Sequence, residues 1–331
     1  MNADREAIAP NDVEFFVLTC NRANMLRQQL QSLVDQTVSP AKITVIDNGS
    51  TDDTASVVKE FGDKYKTVHY YPTGTHFASN VYTFKTTQKL ASSKYVGVFH
   101  DDDIVNPLFL EFALHALNTY DDVVMVSADQ EPVFNASAEN MPNCGFDHHV
   151  WRGDDAVLKQ LLFSRLTFPC TIYRTADYKV VQYNSDVYGK MFDVPFLFEM
   201  STRGAVVFFD SPLLRYRLHK GSDSNNGTNR VSEEMIRNVL LRTREFLPNT
   251  LVSKIIKAYM LVEFLGTLLV WAHIVALQDK NELLEIALKY GIITKCEYKA
   301  LKMRFTFKLI KKLVKKMKRR VKREVVRNRY I

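Results

Sequence analysis

Several familiar signatures are missing from this 331-residue chain. No G-x-G-x-x-G follows the first predicted strand, and no G-x-x-x-x-G-K-[ST] occurs anywhere. Dinucleotide redox chemistry and P-loop phosphoryl transfer thereby lose their main support. The four cysteines (Cys20, Cys144, Cys170, Cys296) form no C-x-x-C pair, and no His/Cys group has zinc spacing. Three sit in apolar or strand-like surroundings, which suits reduced residues of a cytosolic protein. The polar start, Met1 to Glu6, carries no apolar signal segment behind it. No run of 18 apolar residues exists. Positions 255–277 come nearest, but Lys257, Glu263 and His273 interrupt them, so a core helix is expected there rather than a membrane span.

What is present has a globular composition, 46% hydrophobic and 24% charged, long enough for one large domain and a smaller appendage. The net charge of +7 hides an asymmetry. Of 44 Lys/Arg and 37 Asp/Glu, residues 299–331 hold 15 and one, leaving 29 and 36 in the rest, a body of net −7. An acidic body therefore carries a strongly basic tail.

Strand and helix patterns alternate through the first half. Strands are predicted at 13–18, 43–46, 67–71, 95–100 and 123–126, with helices over 24–36, 51–61, 77–91 and 107–118 between them. Such alternation predicts an α/β fold with a mostly parallel sheet and helices on both faces. Irregular sequence is expected over 128–150, then helices near 154–163 and 193–203, strands at 205–209 and 213–218, and a polar, glycine-punctuated loop over 219–227. Beyond 231 the pattern is helical to the end.

The strand Tyr95–His100 runs straight into Asp101, Asp102 and Asp103. Three adjacent carboxylates repel one another and are costly to bury unpaired. A hard divalent cation would offset that repulsion, at the strand ends where open α/β sheets bind ligands. The plainer alternative is a solvated acidic turn or a helix cap before Pro107. With Asp47 at the end of another strand, the pattern suits a diphosphate bridged by a divalent ion.

Phe16-Val17-Leu18-Thr19-Cys20-Asn21-Arg22, then Val45 to Thr54, then Phe99-His100-Asp101-Asp102-Asp103 resemble, in order and spacing, the family-2 inverting glycosyltransferases. Tyr216-Arg217-Leu218-His219 resembles a closing motif of bacterial members. The resemblance implies a GT-A fold and a nucleotide-diphosphate sugar, with a UDP-sugar expected. Thr19, Asn21 and Asp47 would line the nucleoside pocket, Arg22 would bind the nucleotide sugar, and Asn80 would face the nucleotide. The alternative for Asp47 is a strand-end turn residue capping the next helix. Asp102 matches the principal metal ligand (Mn²⁺ or Mg²⁺), Asp103 is assigned beside it, and Asp101 to the donor. Either neighbour could instead support the metal or hold the ribose. The family often has Asp where this chain has His100, so a histidine would stand at the ribose contact. Arg217 and His219 would reach the diphosphate, and Asp193, before Pro195, would be the general base, with an ordinary helix cap as the alternative.

In the tail, Leu309, Ile310, Leu313, Val314, Met317, Val321 and Val325 fall on one helical face, with Lys and Arg on the other. Such a helix can lie on an anionic membrane; docking on the protein's own body is the rival. No aromatic residues interleave the basic run after Phe307, so no nucleic-acid partner is expected. The expected layout is a glycosyltransferase domain over 1–230 (nucleotide half 12–128, acceptor half 129–230), a helical region over 231–298 and a membrane-associating tail over 299–331. The expected product is a surface polysaccharide or glycolipid, built on a glycan or lipid-linked acceptor by a cytoplasmic enzyme peripheral to the inner face of the cell membrane. A sugar-nucleotide nucleotidyltransferase or a non-catalytic nucleotide-binding membrane-associated protein are the alternatives. The former would need a Gly-rich, Lys-containing loop that Thr19–Arg22 does not supply.

Overall fold

A computed structural model describes residues 6–77, 81–134, 141, 144–163, 166–219, 233–247, 254–271, 280–302, 311–312 and 314–315. Asn80, the loop beyond His219 and most of the basic tail lie outside the described residues. The chain divides into two compact units: 1–151 with 165–183 and 203–220, and 152–164 with 184–202 and 221–331.

The first unit holds a nine-stranded sheet. Its parallel half contains β1 (Val13–Thr19), β2 (Lys42–Asp47), β3 (Val68–Pro72) and β4 (Tyr95–His100), linked by α1 (Ala23–Val34), α2 (Thr54–Lys64) and α3 (Val81–Leu90). The strand order is β3-β2-β1-β4, all pairs parallel. Chain order thus reverses at β1, the switch point beyond which ligands of open α/β sheets bind. β1 is buried along its whole length. Val13, Phe15 and Val17 join a core with Leu26, Leu30 and Leu33 of α1 and Val57, Val58 and Phe61 of α2. Residues alternate across a strand, so Glu14, Phe16 and Leu18 point the other way, and they are buried as well. Both faces of this strand are covered, as a parallel strand requires.

Beyond β4 the sheet becomes mixed. It continues through β5 (Ile104–Val105), α4 (Phe109–Thr119), β6 (Val123–Val133), β7 (His148–Trp151), β8 (Thr171–Arg174) and β9 (Ala205–Arg217). β8 lies antiparallel between β4 and β6, β6 runs parallel to β9, and β9 carries β5 and β7 antiparallel on its other edge. The predicted α/β sheet is therefore present, with its parallel character concentrated in the first four strands. Several details differ from expectation. The strand predicted at 123–126 continues to Val133, and 148–151, expected to be irregular, is a strand. Both lean on β9, whose 13 residues replace the two predicted strands and supply ladder partners that periodicity within 128–150 could not reveal.

The second unit is helical: α5 (Gly153–Phe163), the short α6 (Thr175–Tyr178, in the first unit) and α7 (Ser185–Tyr188), then α8 (Asp193–Ser201), α9 (Glu233–Phe246), α10 (Lys254–Trp271), α11 (Lys280–Lys289) and α12 (Lys295–Lys302). Its core joins Val157 and Leu161 of α5, Phe198 of α8, Val239 of α9, Leu261 and Leu265 of α10 and Leu284 of α11. The apolar stretch within 255–277 thus packs as a core helix, and no helix among the described residues is long and apolar enough to cross a membrane. Val314, on the predicted apolar face of the tail, is buried in the same core, while Lys311, Lys312 and Lys315 are exposed.

Candidate active site

The tips of β1, β2 and β4 and the end of β9 converge on the aspartate run. Thr19, the last residue of β1, donates its Oγ1 hydrogen bond to Asp101 Oδ2 at 2.7 Å. Arg22, just before α1, sets Nη1 3.0 Å from Asp101 Oδ1 and 3.3 Å from Asp102 Oδ2. From β9, the Arg217 backbone N–H donates to Asp103 Oδ1 at 3.2 Å, and His219 Nε2 lies 2.9 Å from Asp102 Oδ2. The Arg217 guanidinium is anchored by Gln28 Oε1 at 2.7 Å, leaving its buried Nε without a hydrogen-bond partner.

The three carboxylates are all buried, and their charges are unequal. Burial raises Asp101 above the ordinary carboxylate value; the Asp102 charge adds to this and Arg22 opposes it. Asp102 is also desolvated, yet the positive charge available on His100, the His219 hydrogen bond and Arg22 together hold it below that value. Asp103 is pushed well up, first by burial and then by the Asp102 charge. Burial lowers Arg217 against the upward pull of all three aspartates. Neighbouring buried carboxylates cannot all ionise at once without a cation beside them.

A divalent ion fits these residues. Asp103 Oδ2 is buried without a hydrogen-bond partner. One donor atom each from His100, Asp102 and Asp103 lies within 4.8 Å of the others. An unpaired desolvated carboxylate oxygen is costly, and a hard cation is its natural partner. The capping alternative has no support here, since the residue preceding α4 is Leu108.

The second cluster lies at the β2 tip. Asp47 Oδ1 accepts from the Ser50 N–H at 2.9 Å and Oδ2 from the Tyr70 hydroxyl at 2.5 Å. Asp47 is therefore a turn residue but does not cap α2. Burial, followed by the Asp47 carboxylate, pushes the Tyr70 phenol well up. Asn21, in the left-handed region at φ 54°, donates its N–H to Ser50 Oγ at 2.8 Å and accepts from the Thr51 N–H at 2.7 Å. The two strand tips are thus locked together. Asn48 binds Phe77 twice, its Nδ2 donating to the carbonyl and its Oδ1 accepting from the N–H, both at 2.9 Å.

The structure brings together Thr19, Arg22, His100, Asp101, Asp102, Asp103, Arg217 and His219, with Asn21 and Asp47 on the adjoining tip. Asp193 opens α8 in the second unit, in its first turn rather than at the cap. Four residues escaped sequence reading: Asp52, Gln28, Tyr70 and Asn48. Asp52 Oδ2 accepts from the Ala23 N–H at 2.9 Å, closing the start of α1 across 29 positions, while its Oδ1 accepts from the Thr54 N–H at 3.1 Å at the start of α2. Nothing local marks such pairings. Only the strand order makes them neighbours.

Comparison with known proteins agrees with this geometry. The family described as Glycosyl transferase family 2 matches residues 15–181, half of the chain. An uncharacterized glycosyltransferase of Rickettsia prowazekii is 24% identical over 238 residues, covering 67% of this chain and 68% of that protein. One from Haemophilus influenzae is 23% identical over 228 residues, covering 64% and 67%. Among solved structures, residues 1–349 of S. aureus TarS in complex with UDP-GlcNAc share the fold with a TM-score of 0.63 at 16% identity, over 86% of this chain and 82% of that one. The chain belongs to glycosyl transferase family 2.

Proposed function

We propose that the chain moves a sugar, with inversion, from a nucleotide-diphosphate sugar to a hydroxyl of a glycan or lipid-linked acceptor in surface polysaccharide or glycolipid synthesis. A UDP-sugar is the donor this reading favours, since TarS is a fold relative seen with UDP-GlcNAc. The observation that carries the reading is the gathering of Arg22, Arg217 and His219 around three buried aspartates, one of them with an unpartnered oxygen. Cationic donors beside a carboxylate cluster suit a diphosphate held through a divalent ion.

Asp102 and Asp103 would hold that ion, Mn²⁺ or Mg²⁺, which supplies charge neutralisation for the departing diphosphate. Thr19 and Arg22 keep Asp101 and Asp102 in register for it. Asn21 and Asp47 line the nucleoside pocket, with Tyr70 orienting the Asp47 carboxylate. Arg217 offers its unpartnered Nε–H to a phosphate oxygen. In the transfer itself, the acceptor oxygen bonds to the anomeric carbon as the bond from that carbon to the diphosphate oxygen breaks. The hydroxyl proton passes to the Asp193 carboxylate, the assigned base. The acceptor is assigned to residues 129–230. The exposed Lys311, Lys312 and Lys315 support attachment to an anionic membrane through the basic face of the tail, on the cytoplasmic side, while the burial of Val314 in the helical core supports docking of the apolar face on the protein's own body.

The test is a thermal-shift panel of nucleoside diphosphates with and without Mn²⁺, followed by transfer assays. UDP with Mn²⁺ is expected to stabilise the protein most, because stabilisation grows with occupancy. Asp193→Asn is expected to keep UDP affinity and lose transfer. Transfer by Asp193→Asn at the wild-type rate removes the base assignment, and equal stabilisation with and without Mn²⁺ removes metal dependence. Liposome sedimentation of the Lys311→Glu, Lys312→Glu, Lys315→Glu variant checks the tail: unchanged binding to anionic vesicles rules the basic face out.

A further inference from the structure

We infer that His100 is itself a ligand of the divalent cation, so that the site binds through one imidazole nitrogen and two carboxylates. The inference rests on the reading that the aspartate run holds such an ion, and it sets which ion the run prefers.

Three observations carry it. A ring nitrogen of His100 and one carboxylate oxygen each of Asp102 and Asp103 lie within 4.8 Å of one another. Donors around one ion sit about 2.0–2.6 Å from it, hence at most about 5 Å apart. The second observation is the buried, unpartnered Asp103 Oδ2, on a residue with 0% exposure. The third is the state of the His100 ring. It meets Phe84 edge-on, with centroids 6.3 Å apart at 69°, and takes no hydrogen bond among the described residues. The aromatic contact orients the ring without using either nitrogen.

Two histidines elsewhere in the sheet unit have committed ring nitrogens. His148 places Nδ1 2.8 Å from the Phe146 carbonyl and Nε2 2.9 Å from the Tyr120 hydroxyl. His149 places Nε2 2.8 Å from Asp210 Oδ2. The other imidazole nearby, His219, spends its Nε2 on Asp102 as a hydrogen-bond partner. Among the described residues, His100 alone combines an uncommitted ring with two carboxylates at ligand spacing.

The consequence is cation choice. Mg²⁺ and Ca²⁺ are hard ions that favour all-oxygen sites, whereas an imidazole strengthens binding of first-row transition ions, increasingly from Mn²⁺ to Co²⁺. A nitrogen donor at position 100 therefore tilts the site towards Mn²⁺ and Co²⁺ and away from Mg²⁺, and an aspartate there tilts it back.

The experiment is pulsed EPR on the full-length chain loaded with UDP and Mn²⁺, alongside Mn²⁺ and Mg²⁺ affinities. Wild type is expected to show the ¹⁴N coupling of a directly bound imidazole. The coupling is lost in His100→Ala and His100→Asp and kept in His219→Ala. Mn²⁺ affinity falls about tenfold or more in His100→Ala, as even outer-sphere partners cost that much, and His100→Asp gains Mg²⁺ relative to Mn²⁺. Mn²⁺ bound to wild type without nitrogen coupling overturns the inference while leaving the metal-dependent transferase intact, and so does coupling that survives in His100→Ala. Failure of wild type to bind any divalent ion in the presence of UDP overturns both together.

Discussion

Thr19 Oγ1 donates to Asp101 Oδ2 at 2.7 Å, joining the tips of β1 and β4 where chain order reverses. Both residues are buried. Thr19→Val keeps the shape and removes the donor, so a buried carboxylate oxygen is left short of a partner at a cost of about 1–3 kcal/mol. Urea unfolding is expected to show that loss, with weaker UDP binding alongside it. Thr19→Ser, which keeps the hydroxyl, retains most of both. Equal loss in the Ser variant would instead point to packing of the methyl group.

Glu14 gives the fold a defined acid sensitivity. Its side chain, buried in the central strand, accepts from the Ser92 N–H, from the Ser93 N–H at 2.7 Å and pairs with Lys42 Nζ at 3.0 Å. Burial pushes its carboxyl up, but these partners outweigh it and hold it below the usual 4.5. The unfolded chain therefore binds the proton more readily, and the stabilisation is complete above pH 4.5 and lost as pH falls through the lower folded value. Glu14→Gln is expected to cost about 1–3 kcal/mol at pH 7. The gap between wild type and variant in urea titrations should hold steady down to the unfolded carboxyl value and narrow below it. A gap independent of pH down to full acid unfolding would contradict the assignment.

At Gly49 two constraints coincide. Its φ is +71°, and an added Cβ would fall 2.6 Å from the His76 backbone nitrogen. Gly49→Ala must therefore accept strain of about 1–3 kcal/mol and move the segment that Asn48 holds through Phe77. A lower melting temperature and weaker UDP binding are expected. Gly49→Asn eases the dihedral but not the clash, so it should rescue little; full rescue would show that space is not limiting.

In the helical unit, Thr294 and Glu297 cap α12 reciprocally. The Glu297 N–H donates to Thr294 Oγ1 at 3.2 Å and the Thr294 N–H donates to Glu297 Oε2 at 2.7 Å. Glu297 Oε1 also pairs with Arg244 Nη2 at 2.9 Å. Glu297→Ala is expected to destabilise this unit by about 1–2 kcal/mol, read as an earlier helical transition by circular dichroism. UDP affinity, which the proposed function assigns to residues of the sheet unit, should stay at the wild-type value while the protein remains folded.

How much of this was legible in the sequence follows from how local each feature is. The first four strands and the helices between them were readable because a short β-rich run bounded by turn residues and an amphipathic helix each carry their pattern within about ten residues. The Asp101–Asp103 run announced itself by the repulsion it must resolve. The Thr294-x-x-Glu297 box was equally readable, yet an unbroken helical pattern after 231 masked it. By contrast, Asp52 capping α1, Tyr70 on Asp47 and Gln28 on Arg217 join residues 29, 23 and 189 positions apart. Such pairs exist only once the strand order is known. The extension of β6 to Val133 and the edge strand β7 belong to the same class, since each is defined by its partner in β9.

The reach of β9 bears on how this protein can be cut. The span that matches the family ends at residue 181, while β9 runs from Ala205 to Arg217 and pairs with β6 along nearly its full length. A fragment trimmed to the matched span would bare a long, mostly apolar strand edge, which invites sheet-to-sheet association between molecules. It would also strip Asp103 of the only amide that binds it among the described residues. Homology boundaries and the foldable piece therefore part company here, and a soluble catalytic fragment has to extend past His219.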